Sequence, residues 1–287
     1  MKLVSGPSGE ALSCFACEAM RTRFEIVLAD DRDPIFLRAA AEQALAEIGG
    51  VEAMLSPYRP GSAIAAINNA PVETAVRLDP VVFGLLSQAA ELTTRLEGAF
   101  DLSVGAVTAA QRGFIAAEGT APGASALRLD PTAMTATRLT ASVRLDPGAI
   151  GKGWALERAL SILRDLGLTN VFLHGGTSSV RAMGPGPVGR GWKVALPDAD
   201  PFELVDRSLS VSSSVAQLFA SDAGMCSHIL DPRTGAPVKR PLSAAVLHDD
   251  GVVAEAISTA LVVLGPAGAE LVRRSFPSAT LVRLAPG

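Results

Sequence analysis

At 287 residues, 48% of them hydrophobic, the chain is long enough to bury a large core, as one big domain or two interleaved lobes. A formal net charge of -4 leaves no basic footprint for nucleic acid or an anionic membrane, and 5% aromatic content is too sparse for a base-stacking platform. The cysteines, Cys14, Cys17 and Cys226, are odd in number in a chain large enough to fold without cross-links, which fits a reducing compartment; the lone CxxC of Cys14 and Cys17 has no second pair to make a zinc site.

The start, "MKLVSGPSGEALSCFACEAM", has no continuous apolar run, so neither a signal peptide nor a membrane span is expected, and the cytoplasm is the default location. "FACEAMRTRFEIVLAD" alternates as a strand with Phe24, Ile26 and Leu28 on one face. "DPIFLRAAAEQALAEIGGVEAML" has helical spacing, with Asp33 as cap and Pro34 in the first turn. "SPYRPGSAIAAINN" reads as a loop leading into a short helix, and a further helix runs from Asp79-Pro80 to about Leu96. The Ala/Gly-rich stretch from Gln111 to Pro131 reads as a loose excursion.

Strands are expected next at "ALRLD", "TATRLTASVRLDP" and "TNVFLHGG", with "GAIGKGWALERALSILRDLG" as a glycine-led amphipathic helix between them and the last. Further strands are expected at "GWKVALP", "RSLSVSS" and "LSAAVLH". "GVVAEAISTALVVLG" reads as an apolar helix too short and interrupted to span a membrane. Strands and helices mix without regular βαβ alternation and no fixed-period repeat is present, which favours an α+β fold.

Five stretches carry candidate chemistry. In "LDPGAIGKGWALE", Gly148, Gly151 and Gly153 surround Lys152 at a strand-to-helix junction, where backbone N–H groups, a helix N-terminus and an ammonium would favour an anion; a plain glycine turn with a solvated lysine is the alternative. The spacing is neither a P-loop nor GxGxxG. "HGGTSS" offers a ligand loop or a tight turn, with His174 read as a buried or edge histidine. Asp101 in "GAFDLSVGAV" reads first as an N-cap or Asx turn. Glu255 and Thr259, four residues apart on one helix face, are hard oxygen donors suited to Mg²⁺, or else an exposed polar stripe. In "SHILDPRTGAP", His228 is a general base or simply a strand end before a proline turn.

The order and wording of these stretches resemble the ApbE family of FAD:protein FMN transferases. "SHILDPRTGAP" is similar to that family's "sHiiDPrTG.p", "LDPGAIGKGWALE" to "ldlGaiaKGyavD", and "GAFDLSVGAV" to "GafDptvgpl". "LSPYRPGSAIAAINN" resembles "fs.y...S.i..lN", "FLHGGTSSVRAMG" resembles "lGGdi...G", and "AEAISTALVVLG" resembles "aDalaTalfvlG". The matches run in order from about Met20 to Gly265.

The resemblance implies a two-lobed, T-fold-like α+β fold with mixed or antiparallel sheets and flanking helices. It implies a single domain over 1–287, with a tail over about 1–13 and lobes over about 14–130 and 131–287. It also implies FAD and Mg²⁺ as ligands, cleavage of the FAD pyrophosphate, release of AMP, and transfer of FMN to a threonine or serine of an acceptor protein. Family members that only hydrolyse FAD, or a non-catalytic flavin-binding chain, are the alternatives. Nucleic acid and a membrane span are not expected.

Position by position, the resemblance puts Met20, Tyr58, Ala99, Phe100, Asp101, Lys152, His228 and Ile229 at flavin contacts. It puts the Ala149 carbonyl, Glu255 and Thr259 at metal ligands, and His228 or Asp101 at the base. The chain departs from the family pattern at Arg21 and Ser214, which replace glycines, at Thr177, which replaces an aspartate, and at Glu157 and Glu255, each one methylene longer than the usual aspartate.

Overall fold

The structure is a computed structural model that describes residues 12–111, 126–197, 199–216, 218–221 and 224–286. Most of the excursion expected between Gln111 and Pro131 therefore lies outside the described residues. The chain divides into two units interleaved in sequence: Met1–Glu52, Ile150–Val211 and Val246–Glu255 form one, and Ala53–Ala149, Ser212–Ala245 and Ala256–Gly287 the other.

In chain order, the elements open with β1 (Leu12–Ala19) and β2 (Thr22–Ala29), then α1 (Pro34–Leu55) and α2 (Ala63–Asn69). Next come β3 (Ala75–Arg77), α3 (Pro80–Arg95), α4 (Gly105–Gln111), β4 (Leu127–Asp130) and β5 (Thr135–Arg138). A 3₁₀ turn at Pro147–Ala149 leads to α5 (Gly151–Asp165), β6 (Val171–Gly175), β7 (Ser179–Met183), β8 (Trp192–Val194) and β9 (Phe202–Leu204). β10 (Ser208–Ser213), β11 (Leu218–Ser221), β12 (Gly224–Ser227), β13 (Leu230–Asp231), β14 (Ala236–Pro237) and β15 (Ser243–His248) follow. The chain ends in α6 (Gly251–Leu264), α7 (Gly268–Ser275) and β16 (Thr280–Ala285).

In the first unit the stretch read as a single strand is a hairpin. β1 and β2 pair antiparallel from Leu12↔Ala29 to Ala19↔Thr22, and the turn falls on Met20 and Arg21, with φ of 48° and 60°. Both residues adopt the positive φ that two-residue hairpin turns of the right twist demand, a requirement alternation alone cannot signal in a sequence without Gly or Asn there. Strand order continues β1-β2-β6-β7-β10, antiparallel throughout. Phe24, Ile26 and Leu28 are buried as their spacing predicts, and Val27 on the opposite face is buried too. α5 packs on β6 and β7 and buries Trp154, Ala155, Leu156, Ala159, Leu160 and Leu163. Each large side chain so covered is worth about 1.5–3 kcal/mol.

The second unit uses shorter elements with local caps. Ser62 Oγ accepts the Ala65 N–H at 2.9 Å to start α2, and Asp79 Oδ1 accepts the Val81 N–H at 2.8 Å ahead of Pro80 to start α3. β3, β5 and β4 form an antiparallel sheet. The strand expected over "TATRLTASVRLDP" stops at Arg138, because Arg138 Nη1 donates to Val143 O at 2.9 Å and its other amino group to Ala70 O, curling the chain into a turn.

Counted through the 3₁₀ turn Gly265–Ala267 and α7, the helical run Gly251–Ser275 reaches 25 residues. It is long and apolar enough to cross a bilayer, more than its first fourteen residues suggested, but 67% of its most apolar window is buried inside the protein.

Candidate functional site

The first unit holds a closed polar cluster where the glycine turn enters α5. Ile150 flanks the helix without a side-chain cap, so its leading N–H groups need partners from elsewhere. Glu255, from the first turns of α6, supplies one: the Gly153 N–H donates to Oε2 at 2.7 Å. Ser179 Oγ, at the start of β7, donates to Oε1 at 2.5 Å, and Lys152 Nζ stands 3.7 Å from the same oxygen. Glu255 is 3% exposed, which excludes the exposed polar stripe. Burial pushes its carboxyl above the ordinary range, against the pull of Lys152 and of the Ser179 and Gly153 donors. Gly153 is required by close approach: a Cβ there would stand 2.5 Å from Gly251 O and 2.9 Å from Glu255 Oε2. Lys152 is thus paired rather than merely solvated.

Met20, the remaining first-unit candidate, sits half-buried in the β1–β2 turn. His174 is a cross-strand partner: it pairs with Glu25 in the β2–β6 register, Nε2 lies 2.9 Å from Glu25 Oε2, and Nδ1 lies 3.1 Å from Gly176 O. "GGTSS" is the tight β6–β7 turn, with Gly176 at φ 61° and Thr177 exposed at its tip.

In the second unit Ala99 and Phe100 are fully buried and Asp101 is 9% exposed. Asp101 makes the Asx turn its sequence predicts, accepting the Ser103 N–H at 2.8 Å. Burial raises its carboxyl above the ordinary range, only partly offset by that bond. The buried Ser103 hydroxyl also pulls the Asp101 carboxyl down, although it stands outside hydrogen-bonding geometry.

The next residues run alongside Arg144–Asp146. Val104 bridges Arg144 in parallel, the Gly105 N–H donates to Arg144 O at 2.8 Å, and the Asp146 N–H donates to Leu102 O at 2.8 Å. Asn68, 3% exposed, fixes that strip by accepting Leu145 N–H at 2.7 Å and donating to Leu145 O at 2.9 Å. Asp146 Oδ1 then accepts the Gly148 N–H at 2.9 Å, turning the chain into the 3₁₀ turn that ends at Ala149.

"SHILDPRTGAP" forms the β13–β14 hairpin, pairing Leu230↔Pro237 and Asp231↔Ala236. Asp231 organises the turn, accepting the Arg233 N–H at 3.0 Å and holding its guanidinium through Nε at 2.9 Å and Nη2 at 2.8 Å. The Gly235 N–H closes onto Asp231 O at 2.8 Å. Ile229 is buried and His228 half-buried at the hairpin base. A Cβ on Gly98 would meet the Arg233 side chain at 3.4 Å, so the hairpin turn and the segment leading to Asp101 are neighbours. Tyr58, 54% exposed, lies between α1 and α2. Thr259 is half-buried on α6 one helical turn beyond Glu255, its Oγ1 3.3 Å from Ser212 Oγ. Among the described residues no group of three or more His, Cys, Asp or Glu is placed to hold a metal ion.

A sequence profile of the ApbE family matches residues 20–281. The chain belongs to the ApbE family. It is 33% identical over 212 residues to the FAD:protein FMN transferase of Rhodobacter capsulatus, covering 66% of this chain and 39% of that one, so it spans well under half of that relative. It is 25% identical over 276 residues to the FAD:protein FMN transferase of Chlamydia muridarum, covering 90% of this chain and 86% of that one. Among solved structures, the ApbE protein of Thermotoga maritima matches with a TM-score of 0.82 at 23% identity, over 96% of this chain and 97% of that one. The apo flavinyl transferase ApbE of Pseudomonas stutzeri matches with a TM-score of 0.80 at 23% identity, over 94% and 90%. At that identity the structures carry the fold, and it is the α+β ApbE fold with antiparallel sheets and flanking helices that the sequence implied.

The departures from the ApbE pattern have physical roles here. Arg21 takes a left-handed turn position, and Ser214 accepts the Leu242 N–H at 2.9 Å while donating to Arg240 O at 2.7 Å. Ser179 looks like any serine after a glycine turn, and Asn68, which falls on the asparagine of "fs.y...S.i..lN", looks like a helix-end polar residue; only the long-range contacts show what each holds.

Proposed function

We propose that the chain is a cytoplasmic FAD:protein FMN transferase, cleaving the FAD pyrophosphate, transferring FMN to a threonine or serine hydroxyl of an acceptor protein and releasing AMP. The observation that carries the reading is the buried Glu255 carboxylate held beside Lys152 and the Gly153 N–H, in an ApbE-family chain whose relatives are named FAD:protein FMN transferases.

The Glu255 carboxylate, the Thr259 hydroxyl and the Ala149 carbonyl, which the family resemblance puts at metal ligands, are by chemistry hard oxygens of the kind Mg²⁺ takes, with both Glu255 oxygens already accepting from the chain's own donors. When bound, Mg²⁺ would neutralise charge developing on the pyrophosphate oxygens. Lys152 adds a fixed positive charge at a helix start suited to anions. Asp101 or His228 takes the proton of the attacking hydroxyl as the new P–O bond forms and the bond to AMP breaks; burial pushes the Asp101 carboxyl up, which makes it a better proton acceptor than an ordinary carboxylate.

A second reading is a flavin-binding protein without turnover, favoured by the engagement of both Glu255 oxygens by the chain's own donors. Purified protein incubated with FAD, Mg²⁺ and candidate acceptors, assayed for AMP, free FMN and protein-bound flavin, separates them. Transfer gives AMP with protein-bound FMN, hydrolysis gives AMP with free FMN, and the absence of AMP under every condition leaves only binding.

A further inference from the structure

α5 and α6 are tied by a reciprocal clamp in the first unit. Glu255 on α6 accepts the N–H of Gly153 at the start of α5, at 2.7 Å. Glu157 on α5 accepts the N–H of Gly251, the first residue of α6, through Oε1 at 2.9 Å. Each acid has its own cation: Lys152 Nζ stands 3.7 Å from Glu255, and Arg181 Nε stands 3.0 Å from Glu157 Oε1. Each also accepts a serine hydroxyl, from Ser179 at 2.5 Å and Ser208 at 2.9 Å. The backbones touch at two glycines: a Cβ on Gly153 would lie 2.5 Å from Gly251 O, and one on Gly251 would lie 3.1 Å from Gly153 O. Asp250 Oδ1 already caps Val252 N–H and Val253 N–H, at 2.7 and 3.2 Å, leaving the Gly251 N–H to Glu157.

We infer that Glu157 is a positioning residue that sets the Lys152–Glu255 pair by holding the first turn of α6 against the first turn of α5. Glu255 lies one turn beyond Gly251 on a rigid helix, so a shift at Gly251 is passed directly to its carboxylate. An error of about 1 Å in a catalytic arrangement can cost about 100-fold in rate. The functional half of this inference rests on the transferase reading; the clamp itself does not.

The test uses Glu157→Asp, which keeps the charge but withdraws the carboxyl by about one bond length, ~1.5 Å, and Glu157→Gln, which keeps an acceptor of the same reach. Amide hydrogen exchange under native conditions is read at Gly251 and at Gly153. The clamp predicts that Glu157→Asp raises exchange roughly 10-fold or more at both amides, although Gly153 is bonded to Glu255 and not to Glu157. Glu157→Gln raises both by less. In FAD cleavage, Glu157→Asp lowers kcat about 10–100-fold with the KM for FAD within about 3-fold, and Glu157→Gln restores part of the loss. Faster exchange at Gly251 with Gly153 unchanged overturns the clamp, and an unchanged kcat overturns the positioning role. Should Glu157→Asp not fold, Glu157→Gln carries the same exchange comparison. A wild-type chain releasing no AMP would defeat the transferase reading while leaving the exchange result to decide the clamp.

Discussion

The α5/α6 junction and the β13–β14 hairpin both build an aspartate- or glutamate-centred site, by opposite means. At the junction, Glu255 takes its donors from residues 102 and 76 positions away, and Glu157 reaches one 94 positions away. In the hairpin, Asp231 is satisfied by Arg233 two positions along and by its own turn. The electrostatics differ in sign as well. Burial lifts the Glu255 carboxyl, whereas the Arg233 guanidinium holds the Asp231 carboxyl below its ordinary range. A carboxylate satisfied locally at the surface tolerates small backbone shifts. One satisfied across the fold in a dry site depends on the fit between whole elements.

The sharpest way to break this contrast is a single methyl group. Gly153→Ala drives a Cβ into the Gly251 carbonyl at 2.5 Å, backbone against backbone, so the helices must part. We expect a loss of about 2–3 kcal/mol in urea unfolding and loss of FAD cleavage. Asp231→Ala, removing the whole hairpin carboxylate, should cost only about 0.5–1 kcal/mol at neutral pH, because the Asp231–Arg233 pair is partly exposed. Since the folded Asp231 group is depressed, its contribution is present above the unfolded carboxylate range and fades as pH falls through its folded value. A hairpin variant more damaging than the glycine variant would reverse the comparison.

Asp101 sharpens it within the second unit, where a local Asx turn sits in a buried place. Its folded carboxyl is raised, mainly by desolvation, so the group stabilises the fold only where it can be protonated, and that contribution is lost as pH rises through its folded value. Asp101→Asn keeps an oxygen for the Ser103 N–H. The variant should therefore match wild-type stability near pH 4 and exceed it at pH 8 in paired urea melts. It should lose about 100-fold or more in FAD cleavage if Asp101 takes the acceptor's proton. Equal activity in the variant would leave the proton to His228.

How much was legible follows the same division. Asp33 and Asp79 announced their helices, and the DPRTG run announced its turn, because in each case acceptor and donor lie within a few residues. The ordered motifs disclosed the ApbE fold and picked out Lys152 and Glu255. The Ser179 and Asn68 contacts were not legible, since a serine after a turn and an asparagine ending a helix look alike whether or not a partner waits 76 or 77 residues away. Nor did the length of Glu157 and Glu255 declare itself as a matched pair. That needs both helix starts side by side.

The smallest effect tests a place where local reading failed, the β1–β2 turn. Arg21 sits at φ 60°, with Met20 beside it at 48°. A left-handed conformation costs a side chain about 1–2 kcal/mol, which glycine escapes, but glycine also makes the unfolded chain more flexible by about 0.5–1 kcal/mol. Arg21→Gly should therefore stabilise the first unit by about 0.5 kcal/mol, the difference between the two terms. The Arg21→Ala variant separates them, since alanine keeps the strain while losing the long side chain. If Arg21→Ala gains as much as Arg21→Gly, the arginine side chain rather than the backbone sign is what the turn resists.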